Sequence, residues 1–234
     1  MIVIVDYDTG NLRSVENSLK RLGASYRVSS DPAVIAAAER VILPGVGEAA
    51  TAMANLRAGR LPEVIRGLRQ PVLGICIGLQ LMCRSSEEGA TECMGIFDAE
   101  VKRFTGAGPD LKIPHMGWNT IEGPSAQAGG KAGSEGRTAS RDLKVASTLA
   151  GPSFAPAGAE AGFSTPLLRG IREGEFVYFV HSYAPSLCEG TVAVTEYDRR
   201  FSAAIARGNF FGTQFHPEKS GSVGERIMRN FLTL

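Results

Sequence analysis

Cys76 stands in the run Pro71-Val72-Leu73-Gly74-Ile75-Cys76-Ile77-Gly78-Leu79-Gln80-Leu81-Met82, with a glycine two residues to either side. A cysteine that only fills a core needs no such neighbours. Glycines at these offsets suit a sharp strand-to-helix turn that presents one side chain, because bulkier flanks clash in the bend. Amides at the start of the following helix then lie beside the sulfur and favour thiolate over thiol. The stretch reads as a nucleophile elbow with cysteine in the serine position, set against the plainer reading of a buried structural thiol.

A thiolate nucleophile requires a base, and the chain has three histidines. His181 closes the apolar run Val177-Tyr178-Phe179-Val180, where a satisfied structural histidine is the usual outcome. His115, between Pro114 and Met116-Gly117, falls in an expected loop. His216 is followed by Pro217, which is expected to fix an extended turn, and by Glu218. A carboxylate that close can hold one imidazole nitrogen and leave the other for the sulfur. A lone His-Pro-Glu is also what a surface turn looks like. Beside a cysteine elbow, Cys76, His216 and Glu218 read together as a Cys-His-Glu triad for nucleophilic catalysis.

These residues must be carried by elements that bring their ends together. Residues 2–5 form an apolar strand, and Leu12, Val15, Leu19 and Leu22 then share one helical face. A strand near Tyr26–Val28 and a short helix opened by Asp31-Pro32 follow. Arg40–Gly45 contains the next strand, Glu48–Leu56 a helix, and residues 71–75 the fourth strand. This alternation of apolar strands with helices predicts an α/β fold with a mostly parallel sheet covered on both faces. Sites in such sheets gather at the carboxyl ends of strands, where Pro44-Gly45 and Cys76 both fall. Strands at 95–103, 175–181, 191–197 and 202–206 lack long helices between them and predict an antiparallel second half. A last helix near 222–232 carries Val223, Ile227, Met228 and Phe231 at helical spacing.

The whole chain of 234 residues is read as one domain interrupted at about 123–163, where 26 of 41 residues are Ala, Gly, Ser or Pro. Such a composition buries too little apolar surface to offset its ordering entropy, so a flexible insertion is expected there. A net charge of +1 with 21% charged residues, and no run of like charges, argues against nucleic acid or an anionic membrane as partner. Cys76, Cys83, Cys93 and Cys188 form no Cys-x-x-Cys pair and have no histidine at ligand spacing, so neither disulfides nor a metal site is expected. The apolar start Met1-Ile2-Val3-Ile4-Val5 is too short for a membrane span and has no basic segment before it, which predicts a cytoplasmic protein without signal or anchor.

The segments around Cys76 (Gly74–Gln80) and His216 (Gln214–Gly221) resemble those of the class I glutamine amidotransferases. Three further stretches, Pro44–Gly47, Leu111–Asn119 and Val177–Tyr183, narrow the likeness to the branch that serves as glutaminase subunits of imidazole glycerol phosphate synthase. The resemblance covers residues 1 to about 122 and 166–234. It implies a mixed sheet flanked by helices, and a Cys76 that attacks the side-chain amide of glutamine with His216 and Glu218 in support. It further implies an oxyanion hole made by the backbone of Ile77 and of Val46 or Gly47, with the Val46 amide needing to reorient before it donates. Gly45, Gln80, His181, Ser182 and Tyr183 would bind glutamine. His115, Met116, Trp118 and Asn119 would lie in a loop that faces a cyclase partner, which is a (β/α)8 barrel forming a heterodimer with this chain. The plain alternative for Trp118 is core packing. No metal or organic cofactor is implied. Two other readings stay open at this stage: a glutaminase serving a different ammonia-using synthase, and a silent binding module of the same fold.

Overall fold

The computed structural model describes residues 1–10, 12–106, 111–124 and 163–234. Its first half alternates as expected: β1 (Ile2–Val5), α1 (Arg13–Arg21), β2 (Tyr26–Ser29), α2 (Pro32–Ala36), β3 (Arg40–Leu43), α3 (Ala49–Ala58), α4 (Leu61–Arg66), β4 (Val72–Ile75) and α5 (Ile77–Met82). Every residue of β1 and β4 is buried, as strands covered on both faces must be. Val15 and Leu19 anchor α1 to the core. Asp31 caps α2 by accepting a 2.8 Å hydrogen bond from the Ala33 amide, with Pro32 at the first turn. The short helix α4 has no counterpart in the sequence reading; it starts from Arg60 in the left-handed region (φ 54°) and carries Pro62 in its first turn, where a missing N–H costs nothing.

The second half holds β5 (Ser85–Ser86), β6 (Thr91–Glu92), β7 (Glu100–Arg103), β8 (His115–Thr120), β9 (Phe176–His181), β10 (Tyr183–Pro185), β11 (Thr191–Glu196), β12 (Arg200–Arg207), β13 (Phe210–Thr213) and α6 (Gly221–Leu232). The main sheet runs β11-β12-β13-β4-β3-β1-β2. Strands β1 to β4 and β13 are parallel there, and β11 and β12 extend the sheet antiparallel. The antiparallel second half is therefore found, with corrections, one being that β7 pairs antiparallel with β10 but parallel with β5. The strand expected over 95–103 is confined to Glu100–Arg103, because Gly95 (φ 66°) turns the chain and residues 95 and 97 bond back to Cys83 and Met82. The loop expected at His115, Met116, Trp118 and Asn119 is instead β8, paired antiparallel with β9 over its whole length. The insertion expected at 123–163 lies, apart from residues 123, 124 and 163, outside the described residues.

Strand β13 does most to build the site. It lies parallel beside β4 in the register Gly212↔Gly74 and Thr213↔Ile75, and the Cys76 amide donates to the Thr213 carbonyl at 2.8 Å. The chain leaving β13 toward His216 thus runs alongside the chain leaving β4 at Cys76.

Candidate active site

Cys76 has φ 53° and ψ −108°, a conformation that costs a non-glycine residue about 1–3 kcal/mol and persists only where the surroundings enforce it. The two flanking glycines are part of that enforcement. A Cβ on Gly78 would overlap the Leu43 carbonyl oxygen at the end of β3, and one on Gly74 would overlap the Met82 side chain and the Gly78 backbone. With hydrogen atoms in their place, α5 packs directly on β3 and β4, and Cys76 is held at the turn between strand and helix. The elbow read from the sequence is present.

His216 stands opposite, extended at φ −97°, with its amide bonded to the Tyr178 carbonyl at 2.9 Å and its carbonyl accepting from the Ser220 hydroxyl at 2.6 Å. Pro217–Lys219 form one 3-10 turn, where the sequence reading expected an extended turn; proline's fixed φ suits the first position of either. The turn folds Glu218 back onto the ring, Nδ1 to Oε1 at 2.8 Å, with both side chains almost wholly buried. Ser14 adds a longer hydroxyl contact, 3.4 Å, to the same oxygen. The other ring nitrogen, Nε2, has no standard hydrogen bond among the described residues but is close enough to the Cys76 sulfur to feel it. Burial opposes a charge on His216, yet the sulfur and the Glu218 carboxylate outweigh it and raise the pKa to about 10.

That shift has a sign that can be tested. Folding favours the protonated ring, so its charge contributes stability below the ordinary value of 6.5, and the contribution is lost as pH rises through about 10. Imidazole resonances of His216 followed by NMR should hold the protonated position well past neutrality, and Glu218→Gln should bring the midpoint down. A wild-type midpoint near 6.5 would contradict the arrangement.

Cys76, His216, Gln80, Val46, Gly47, Ile77, His181, Ser182 and Tyr183 all border one cavity of about 310 Å3. The family model for class I glutamine amidotransferases matches residues 3–234. The chain belongs to the class I glutamine amidotransferases. Among curated relatives it is 46% identical to the imidazole glycerol phosphate synthase subunit HisH of Bacteroides thetaiotaomicron, over 100% of this chain and 99% of the relative. It is 42% identical to the HisH subunit of Yersinia pestis over the same shares. Solved structures share the fold at lower identity. A putative GMP synthase subunit from Thermoplasma acidophilum superposes with a TM-score of 0.63 at 17% identity, covering 99% of this chain and 92% of that one. The glutaminase domain of Trypanosoma brucei CTPS reaches 0.57 at 14% identity, over 99% and 93%.

Within this amidotransferase, the structure distinguishes residues the sequence grouped together. The His181 ring is turned inward: Nδ1 bonds the Tyr183 carbonyl at 2.8 Å and Nε2 meets His115 Nδ1 at 3.0 Å. Since a carbonyl only accepts, His181 donates from Nδ1 and accepts at Nε2, and His115 donates in turn. Asn119 donates to the remaining nitrogen of His115 at 3.4 Å. Burial keeps both rings neutral, His115 near pKa 4 and His181 near 3. His115 is also sandwiched between Phe179 and Tyr197, at 4.8 and 4.0 Å between ring centroids. It is therefore a core residue, unable to present its ring to a partner. Met116 and Trp118, by contrast, are 62% and 43% exposed on the outer face of β8.

Three contributors were given no role in the sequence reading. Glu88 lines the cavity and accepts from the Ala49 amide at 2.8 Å; burial and the neighbouring Glu48 hold its carboxyl above the usual range. Thr9 receives the Val46 amide at 3.2 Å. Gln214, fully buried, reaches Cys76. A polar residue inside the apolar run Phe210-Phe211-Gly212-Thr213-Gln214-Phe215 was the available signal for Gln214; nothing local marks Thr9 or Glu88.

Proposed function

We propose that this chain hydrolyses glutamine to glutamate and ammonia through Cys76, His216 and Glu218, and hands the ammonia to the cyclase subunit of imidazole glycerol phosphate synthase in histidine biosynthesis. The observation that carries the reading is the strained Cys76 elbow beside a buried, hydrogen-bonded His216–Glu218 pair at one small cavity. Full-length identity of 46% to a HisH subunit supports the choice of synthase over other ammonia users.

The sulfur attacks the side-chain amide carbon of glutamine, and the carbonyl pair moves onto oxygen. His216 gives its proton to the departing nitrogen, which leaves as ammonia with formation of a thioester. The ring then takes a proton from water, whose oxygen attacks the thioester and releases glutamate and Cys76. Glu218 orients the ring and supports its charge. The Ile77 amide, first in α5, supplies one oxyanion donor. Val46 or Gly47 supplies the second, but here the Val46 amide is bonded to the Thr9 hydroxyl. The peptide between Gly45 and Gly47 must therefore turn before it can donate, which keeps the lone subunit slow.

Gln80 lines the cavity and packs against the substrate, Glu88 receives the α-amino group, and the backbone of Ser182 and Tyr183 and the edge of His181 border the α-carboxylate. Ammonia released into water near neutral pH becomes ammonium and loses its nucleophilicity, so a sheltered route is needed. Val180 lines the cavity with its carbonyl 4.0 Å from the Cys76 sulfur and pairs with Met116, so the exposed Met116–Trp118 face lies one strand away from the site. That face is where a (β/α)8-barrel cyclase would dock to form a heterodimer, with the chain acting as a single glutaminase domain in the cytoplasm.

The test is reconstitution with the cyclase, its ribulosylformimino-nucleotide and glutamine. Imidazole glycerol phosphate and aminoimidazole carboxamide ribotide are the expected products. Synthesis that proceeds with ammonia but never with glutamine would contradict the reading.

A further inference from the structure

Gln214 follows β13, and its amide bonds the Ala203 carbonyl at 2.8 Å, which fixes its backbone against β12. Its side chain is fully buried between Gln80 and Cys76. Gln80 Nε2 donates to the Tyr183 carbonyl and to Gln214 Oε1, each at 3.0 Å. The Tyr183 carbonyl can only accept, so the nitrogen of Gln80 must lie on that side, and Gln214 must answer it with its oxygen. The amide nitrogen of Gln214 is thereby left pointing at the Cys76 sulfur, 3.6 Å away. The assignment follows from the network and has no free flip.

We propose that Gln214 is a positioning residue for the nucleophile: its amide donates to the Cys76 sulfur while its carbonyl holds Gln80, tying the side chain that faces the substrate to the atom that attacks it. This rests on the reading of Cys76 as the nucleophile. A donor at sulfur bonds more strongly to thiolate than to thiol, because the acceptor is then charged. Gln214 thus adds a donor to the anion beside His216. Its buried N–H would otherwise be orphaned, at a cost that few native sites carry. Among the described residues, the other titratable groups around the sulfur are His216 and Tyr7, with Glu88, His181, Tyr183 and Lys219 on the cavity wall. Neither substitution removes any of these groups, and Gln214→Met adds no charge beside them.

The test uses Gln214→Met, which removes donor and acceptor at similar length, and Gln214→Glu, which keeps an acceptor for Gln80. Iodoacetamide alkylation of Cys76, in which sulfur displaces iodide to form a thioether, is followed against pH by peptide mass analysis. Both variants should move the alkylation midpoint upward, by about one pH unit in Gln214→Met and further in Gln214→Glu, where a carboxylate replaces the donor. In the reconstituted synthase, kcat should fall about tenfold or more, with the KM for glutamine changed less in Gln214→Glu than in Gln214→Met. Alkylation needs no glutamine, so its outcome does not depend on whether the subunit is a glutaminase. Unchanged midpoints in folded variants would overturn the proposal. If neither variant folds, the wild-type protein decides: a Gln214 side-chain amide proton resonance should shift with the alkylation midpoint, and a resonance that ignores that transition overturns it equally.

Discussion

Cys76→Ala should abolish glutamine-dependent synthesis, by roughly a million-fold in turnover, while the reconstituted synthase continues to run on added ammonia. The loss is large because nucleophile and base act as a unit: without the sulfur there is no thioester, and His216 has nothing to serve. His216→Ala should fall to a similar floor, and Glu218→Gln should lose less, since an orienting carboxylate transfers no proton. Retained ammonia-dependent synthesis is the control that matters, because it separates lost chemistry from a lost fold or a lost partner. Glutaminase activity within tenfold of wild type in Cys76→Ala would remove Cys76 from the role.

The second large effect concerns the Val46 peptide. An oxyanion donor contributes about a hundred- to a thousand-fold in rate, and here one of the two expected donors is turned to Thr9. Tyr7 holds the preceding Pro44 carbonyl at 2.6 Å, which braces the loop on one side. The isolated subunit should therefore hydrolyse glutamine some hundred-fold or more below the rate reached with the cyclase and its nucleotide. Thr9→Val removes the hydroxyl that occupies the Val46 amide at nearly constant volume. It should raise the lone subunit's turnover and shrink the activation by partner. A wild-type subunit that alone reaches the complexed rate would rule out the gate. A Thr9→Val subunit with wild-type activation would leave the gate but release Thr9 from it.

Much of this was legible before the structure. Continuous apolar runs such as Ile2–Val5 and Val72–Ile75, alternating with helical stretches, point to strands buried on both faces, and the glycine spacing around Cys76 suits an elbow once His216 and Glu218 are read beside it. The short elements were not legible. Phe210–Thr213 is four residues long and carries a glycine, yet its parallel pairing with β4 is what sets His216 beside Cys76. His115–Thr120 reads as a loop because Pro114 and Gly117 flank and interrupt it, and only β9 makes it a strand. The burial of His115 depends on Tyr197, which is far along the chain, so no local pattern could separate it from exposed Met116. Thr9 and Glu88 share that limitation; Gln214 stands out locally as a polar residue in an apolar run, but its contacts come from distant elements.

The central claim, that Cys76 attacks glutamine, is tested most directly by trapping the intermediate. Wild-type synthase mixed with glutamine, quenched in acid during turnover and digested, should carry a glutamyl thioester on the peptide containing Cys76. Peptides containing Cys83, Cys93 or Cys188 should carry none. Glutamate released at the full rate with the adduct on another residue, or with no adduct under any quench, would contradict the account.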